Sequence, residues 1–293
     1  MITLIDQQRE TGTGLSLAAM CRVLEVPRAA YYRSGQGPVA GNETALRDAI
    51  QRIALEMPAY GSRRITAQLR RQGWVINRKR VRRIMRQDNL LCLRRKKFVR
   101  TTNSEHGLAV YPNLAPTLDV TALNQLWVAD ITYIRLPREF VYLAALLDAF
   151  SRRCIGWSLG RSLEAELPLA ALRMALEARE VGPGLVHHSD RGVQYASGAY
   201  TGLLQQHSIG ISMSRKANPY DNALAESFMK TLKYEEVYLF EYENFAEARR
   251  RMEQFLEHVY NEKRLHSALG YLPPAEYEQT VLASTAVSAA VAG

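Results

Sequence analysis

Apolar residues recur at helical spacing through the first third of the chain. Ser16 begins a short helical pattern that breaks at Pro27, and the Gly/Pro/Ser-rich stretch 34–42 indicates a linker. Helical spacing resumes at Glu43 and includes a third helix over 77–87, whose apolar positions fall on one side. The pattern predicts two small helix-turn-helix-like segments separated by a linker.

From Gln125 the pattern changes to runs rich in Val, Ile, Tyr, Phe and Trp. Residues 125–160 contain three such runs with turns near Pro137 and Ser151, which predicts an antiparallel meander. Helices and strands then alternate, and helices come last, an order typical of an α/β domain of the RNase H-like class. The predicted domains are 1–42 (helix-turn-helix-like segment and linker), 43–104 (basic helix-turn-helix-like DNA-binding domain), 105–124 (linker), 125–280 (RNase H-like catalytic domain) and 281–293 (disordered tail).

The formal net charge of +9 is divided unevenly along the chain. Residues 1–104 hold 21 Lys and Arg against 7 Asp and Glu, a balance of +14, whereas residues 105–293 hold 17 against 22, a balance of −5. A basic half of this kind favours a polyanion partner, most simply nucleic acid. The alternative is a charged surface that only improves solubility.

Composition limits the class of protein. With 293 residues, 47% of them apolar, the chain is expected to be a soluble globular protein. No apolar run approaches the roughly 20 residues of a membrane span, and the N-terminus lacks a secretion signal. The cysteines are three in number and far apart, which suits neither a disulfide framework nor a Cys-x-x-Cys zinc site.

Three carboxylates stand at positions where a metal site is expected. Asp130 interrupts the apolar first strand, Asp190 ends the fourth strand, and Glu226 lies about one turn into a helix that begins near Asn222. Hard oxygen donors of this kind suit Mg²⁺, and a pair of ions roughly 3.5–4 Å apart supports in-line phosphoryl transfer. For Asp190 alone, a simple turn is the alternative, because Asp followed closely by Gly commonly ends a strand.

Other polar residues near these positions are given structural roles. Asp148, late in the second strand, is left out of the site, and Asp221 is interpreted as a helix N-cap. Of His187 and His188, at most one is expected to face the site, since core packing or turn bonding is the commoner role.

The intervals between the three carboxylates are specific. Fifty-nine residues separate Asp130 from Asp190, and 35 separate Asp190 from Glu226. These intervals resemble the D-D-E signature of retroviral integrases and bacterial transposases. The segments "WVADITYI", "HSDRGVQYAS", "SRKANPYDNALAESFMKTLK" and "YNEKRLHSALGYLPPAEYE" resemble the OrfB protein of the insertion-sequence family conventionally numbered three, and the similarity covers nearly the whole chain.

The resemblance implies a fold, an activity and a cofactor. The fold is α/β, an RNase H-like integrase catalytic core preceded by small all-α helix-turn-helix-like DNA-binding segments. The activity is that of an insertion-sequence transposase, metal-dependent DNA strand cleavage and strand transfer at the element ends. Asp130, Asp190 and Glu226 are implied as catalytic residues and as ligands of Mg²⁺, with Mn²⁺ as a substitute. No zinc is implied, because the His/Cys module of retroviral integrases is absent from the N-terminal part.

Basic residues are candidates for contact with DNA. The resemblance implies Lys233, seven residues after Glu226, and Lys230 shares the same helix face, although Glu226 and Lys230 also fit an ordinary surface pair. Arg215 and Lys216 precede that helix. The helix over 77–87 either contacts DNA or exposes a solvated basic face, and its cations are Arg78, Lys79, Arg80, Arg82, Arg83 and Arg86.

The implied partners are the terminal inverted repeats of the element, target DNA, and further copies of the chain on that DNA, in the bacterial cytoplasm at the nucleoid. In this family an upstream-frame OrfA protein usually supplies an end-binding module and a leucine zipper. This chain has no zipper. Two possibilities follow: it acts together with OrfA, as a separate partner or as a fusion, or it acts without OrfA. Two other functions stay open: an RNase H-like structure-selective nuclease and a non-catalytic DNA-binding regulator.

Overall fold

The computed structural model describes residues 16–28, 40–90, 108–215 and 219–292, and the elements below refer to these. The strands are β1 Leu126–Arg135, β2 Phe140–Asp148, β3 Cys154–Gly160, β4 Val186–Ser189 and β5 Gly210–Met213. The α-helices are α1 Leu17–Val23, α2 Ala40–Glu56, α3 Ser62–Arg71, α4 Arg78–Gln87, α5 Glu166–Ala178, α6 Val193–Ala196, α7 Gly198–Gln206, α8 Ala223–Leu232, α9 Phe245–Glu253 and α10 Pro274–Ala292. Two π-helical segments, Lys233–Val237 and Gln254–Lys263, continue α8 and α9, and short 3₁₀ turns occupy Ala115–Thr117, Pro219–Asn222 and Ser267–Leu269.

The N-terminal helices follow from capping and apolar spacing. Ser16 caps α1 by accepting a hydrogen bond from the Ala19 amide at 3.3 Å, as the sequence predicted. Most of the second predicted helix of this segment and of the 34–42 linker lies outside the described residues, and α2 begins at Ala40, earlier than the predicted start. Helices α2, α3 and α4 bury one apolar face each around a common core.

The five strands form one sheet in the order β3-β2-β1-β4-β5. β1, β2 and β3 pair antiparallel, whereas β4 pairs parallel to β1 and β5 pairs parallel to β4. This combination is the RNase H-like topology that the order of elements predicted. Each face of the sheet carries an apolar cluster, one under α8 and α9 and the other under α5 and α7. Gly156 in β3 lets α5 come close, because a Cβ at this position would strike the backbone carbonyl of Ala171.

Two segments are more ordered than the sequence predicted. Residues 108–124, expected as a linker, lie on the core through Leu114 and Leu118, and the Leu114 amide donates to the Ser212 hydroxyl at 2.8 Å. The predicted disordered tail continues α10 as far as Ala292. The helix is anchored by the buried Glu278, which pairs with arginines of the α/β domain, and its Ala-rich end has high helix propensity.

The helical region rests on the C-terminal part of the chain. Leu265 belongs to the same apolar cluster as α2, α3 and α4, and its amide donates to the Tyr60 hydroxyl at 2.7 Å. Glu235 accepts from Arg264 at 2.7 Å and pairs with Arg64 of α3 at 3.7 Å. None of the helices in the described ranges is long and apolar enough to cross a bilayer.

Candidate active site

The parallel pairing of β1 and β4 brings two of the predicted carboxylates level with each other. Val128 is the register partner of His188, so partners differ by 60 residues. Asp130 and Asp190 differ by the same number and each lies two residues beyond that pair, at the carboxyl side of the pairing. Neighbouring strands are roughly 5 Å apart, so the two backbones meet at one edge of the sheet.

Local hydrogen bonds orient both aspartates. Asp130 Oδ1 accepts from the Ile131 amide at 2.9 Å, and Asp190 Oδ1 accepts from the Gly192 amide at 2.9 Å. The second bond is the Asp turn that was the alternative role for Asp190. The turn and a metal-binding role are compatible, because the turn uses one lone pair of one carboxylate oxygen.

Helix α8 carries the third carboxylate above the same edge. The Asn222 side chain, just before α8, donates to the Ala129 carbonyl at 3.0 Å and ties the start of the helix to β1 beside Asp130. The inner face of α8 is buried against the sheet through Ala225, Phe228 and Met229. Glu226 lies in the first turn and is exposed to solvent.

The electrostatics couple the three carboxylates. Burial, the charge of Asp190 and, to a smaller extent, the charge of Glu226 together raise the pKa of Asp130 to about 7. Lys233 opposes these effects. Within the described ranges no three His, Cys, Asp or Glu side chains lie close enough to hold one ion by themselves. Asp190 and Glu226 therefore affect the ionisation of Asp130, but the three carboxylates do not by themselves form a complete set of metal ligands.

Lys233 and Lys230 differ in environment. Lys233 is half-buried, with its ammonium 4.7 Å from the centre of the Tyr133 ring, and burial lowers its pKa while Asp130 opposes the shift. Lys230 is exposed, and in the described part of the chain it forms no ion pair with Glu226, although the two are one turn apart. The structure thus places Lys233 beside the carboxylates and leaves Lys230 on the open face of α8.

Both histidines before Asp190 have structural partners. His187 Nε2 lies 2.9 Å from the Tyr200 hydroxyl, and His188 is held between the hydroxyls of Ser212 at 2.8 Å and Ser214 at 3.0 Å. Both side chains are buried, as expected for core residues.

Sequence reasoning missed Tyr195, whose buried hydroxyl has no hydrogen-bond partner in the described residues and whose pKa is raised by burial and, to a smaller extent, by Asp130 and Asp190.

The two excluded aspartates are structural, but one for a reason other than predicted. Asp148 is fully buried and accepts from the amides of Asn124, Phe150 and Ser151. The N-cap interpretation of Asp221 is wrong, because its carboxylate accepts from the Arg215 amide at 2.8 Å and from the Arg215 guanidinium at 3.0 Å.

Tertiary contacts divide the predicted DNA-binding residues. Arg215 is engaged by Asp221, and Lys216 lies outside the described residues. In α4, Arg80 and Arg83 pair with Glu43 of α2 at 3.6 and 3.2 Å, and Arg78 donates to a serine of α3. Apart from Arg78, the exposed cations of α4 that form no ion pair in the described ranges follow one side of the helix and are called the α4 stripe: Lys79, Arg82 and Arg86.

Comparison with known proteins gives matches along most of the chain. Two models of the integrase core domain match residues 120–219 and 207–274, and a model of an HTH-like domain matches residues 42–98. The chain is 37% identical to the 31 kDa protein of insertion element IS600 from Shigella sonnei, over 89% of this chain and 97% of that protein. It is 35% identical to transposase InsF for insertion sequence IS3A from Escherichia coli K12, over 92% of this chain and 96% of that protein. The catalytic core domain of HTLV-2 integrase, solved in complex with magnesium, is similar at 15% identity with a TM-score of 0.41, over 53% of this chain and 96% of that chain.

Proposed function

The chain belongs to the integrase-core transposases of IS3-type insertion sequences, and from this we propose that it cuts and joins DNA at the ends of its element with Asp130, Asp190 and Glu226 as metal-holding carboxylates. The reaction is a phosphodiester transesterification: an oxygen nucleophile attacks phosphorus, and the oxygen on the opposite side leaves. The observation that carries the assignment is the parallel register that sets Asp130 level with Asp190, together with the raised pKa of Asp130.

The residues at this edge fit a divalent cation. Asp130 is partly buried close to a second carboxylate, and both its burial and that neighbouring charge disfavour its charged form, which a divalent cation would favour. Mg²⁺ keeps several waters and commonly binds through one or two carboxylates, so it does not require a closed protein cage. We propose Mg²⁺, with Mn²⁺ as a substitute, held by Asp130 and Asp190, with Glu226 completing the set. When bound, such ions would activate the attacking oxygen and stabilise the charge of the leaving one.

The other residues bind and orient DNA in this proposal. Lys233, half-buried beside Asp130, is suited to hold a phosphate oxygen near the reacting centre. The α4 stripe is suited to the phosphate backbone of duplex DNA, and the HTH-like domain match favours this role. Assembly as a homo-oligomer on DNA follows from the same family membership. Association with OrfA and location at the nucleoid stay predictions.

The decisive experiment incubates the full chain with Mg²⁺ and duplexes that carry the ends of its own element, and resolves cleaved and joined strands on a denaturing gel. Asp130→Asn, Asp190→Asn and Glu226→Gln should each lower cleavage and joining at least about a hundredfold, since each removes a ligand charge with little change of shape. DNA binding should persist. Asp119→Asn, at an exposed acid that is not one of the proposed ligands, is the matched control and should stay active.

The outcomes separate the three functions. Cleaved and joined products that disappear in EDTA support the transposase. Cleavage without joining points to a structure-selective nuclease, and binding without any cleavage points to a DNA-binding regulator. Near-normal joining by folded Asp190→Asn would contradict the proposed site.

A further inference from the structure

A cavity opens next to the candidate active site. Its volume is about 310 Å³, at the lower end of the roughly 300–1,000 Å³ typical of small-ligand sites. Lys233 connects the two, because it lines the cavity and its charge interacts with that of Asp130. The lining residues come from β1 and from the segment after α8: Tyr133, Arg135, Lys233, Val237, Tyr238, Leu239, Phe240 and Glu241.

Aromatic rings form much of the cavity lining. Tyr133 meets the Phe140 ring edge-on at 5.8 Å, and Tyr238 meets the Tyr234 ring edge-on at 5.6 Å. Both tyrosines are half-buried, and the Phe240 side chain is 43% exposed. Partly exposed aromatic rings of this kind are suited to base stacking.

The cavity is also positively charged. Lys233 borders it and lies over the Tyr133 ring, while Arg135 is exposed and forms no ion pair in the described part of the chain. Glu241 is the acid among the lining residues. Two cations beside accessible rings suit a ligand that combines an aromatic face with a phosphate.

The π-helical segment Lys233–Val237 brings these groups together. Its wide turn is closed by a hydrogen bond of 2.8 Å from the Tyr238 amide to the Lys233 carbonyl. The ring of Tyr238 and the ammonium of Lys233 thereby border one cavity, although they are five residues apart. Such π-helical turns frequently occur at functional sites.

We propose that this cavity binds one unstacked nucleobase of the DNA strand whose phosphate lies at Asp130 and Asp190, with the base stacked on Tyr238 and its phosphate near Lys233. This inference rests on the proposed function, because the carboxylates supply the reason for a strand to pass here. Lys233 interacts with the charge of Asp130 and lies over the Tyr133 ring, so the cavity borders the candidate site and the base belongs within a few nucleotides of the reacting phosphate. Removing a base from the duplex at that point would hold the strand end open.

The test is a double-mutant cycle of binding between protein and DNA. The full chain in EDTA, which prevents cutting, is titrated with duplexes of its own element's end in which the tested terminal nucleotide faces a mismatched partner, so that no base pair has to be broken, and carries either its base or an abasic site, each position in turn. At one position the abasic site should weaken binding about 5- to 150-fold, the effect of losing one stacked base. Tyr238→Leu on the intact duplex should weaken binding by a similar factor, and the combination should add little more.

Controls separate stacking from folding. Tyr238→Phe keeps the ring and should bind as the unchanged protein does, and Tyr277→Leu, which removes a half-buried ring on α10, should also leave binding unchanged. The abasic arm on the unchanged protein stays informative even if Tyr238→Leu unfolds. Two results would overturn the base site. One is that the abasic site and Tyr238→Leu, when combined, weaken binding by the product of their separate factors. The other is that no abasic terminal position weakens binding.

The result is independent of the proposed chemistry. If strand joining occurs while the cycle shows no coupling, the base site fails and the transposase assignment stands. If the cycle shows coupling while no cleavage or joining is ever detected with Mg²⁺, the base site stands and the proposed chemistry fails. Equal weakening by abasic sites at every position, including the duplex interior, would point to general DNA distortion and contradict the site.

Discussion

Asp130→Asn should stabilise the protein in the absence of divalent ions. The aspartate is partly buried and its charged form is disfavoured by burial and by Asp190. Asparagine has nearly the same shape and can accept the same hydrogen bond from the Ile131 amide, but it carries no charge. The substitution therefore removes an unfavourable charge and leaves the packing in place.

The size of the effect follows from the pKa of Asp130, which is raised from 3.8 to about 7. A carboxyl group with a raised pKa in the folded state adds stability below its unfolded pKa, and this stability is lost as the pH rises through the folded pKa. At 1.36 kcal/mol for each pH unit, the difference corresponds to an upper limit of about 4 kcal/mol above pH 7. Because the side chain is partly accessible to solvent, we expect about 1–2 kcal/mol.

The measurement is the free energy of unfolding in urea, followed by circular dichroism in EDTA between pH 4.5 and pH 8. The advantage of Asp130→Asn should be largest at pH 8 and shrink toward pH 4.5. Added Mg²⁺ should stabilise the unchanged protein more than the variant, because a ligand that binds only the folded state raises its stability. Asp119→Asn, at an exposed acid, should show neither effect.

Two results would refute this reasoning. A variant no more stable than the unchanged protein at pH 8 would show that the charge of Asp130 is already compensated. A gain that does not vary with pH would assign the effect to packing and not to ionisation.

Three further changes test other parts of the structure. Replacing all three residues of the α4 stripe by Gln should make DNA binding, measured by fluorescence anisotropy, less sensitive to salt. The slope of the log binding constant against log salt should fall by up to about 2.7, or about 0.9 for each lost phosphate contact, and an unchanged slope would exclude these contacts. Glu235→Gln should lower the free energy of unfolding by about 3 kcal/mol, because Arg264 is buried and would lose its charged partner; a loss below 1 kcal/mol would contradict this. Gly156→Ala should lower the free energy of unfolding in urea by about 1–3 kcal/mol, because the new Cβ meets the Ala171 carbonyl. An unchanged free energy of unfolding would mean that α5 can shift away from β3 without cost.

The amino-acid sequence determined the elements of the fold and the identity of the candidate carboxylates. Runs rich in Val, Ile, Tyr, Phe and Trp predict β1, β2 and β3, and helical spacing predicts the helices, because these patterns are properties of a single segment. The interval from Asp130 to Asp190 is also visible in the sequence, and it acquires meaning once the two strands are taken as parallel neighbours. The order of strands and helices, which predicts an RNase H-like sheet, supplied that arrangement.

Only the tertiary structure decided which polar groups are paired. Arg80 and Arg83 look the same in sequence as the residues of the α4 stripe, but Glu43 lies against them because α2 packs beside α4. Asp221 looks like a helix cap but binds Arg215. The base-sized cavity likewise combines β1 with a segment about a hundred residues later. Such contacts join residues that are far apart in sequence, and they depend on how the backbone folds. A local sequence pattern does not contain this information.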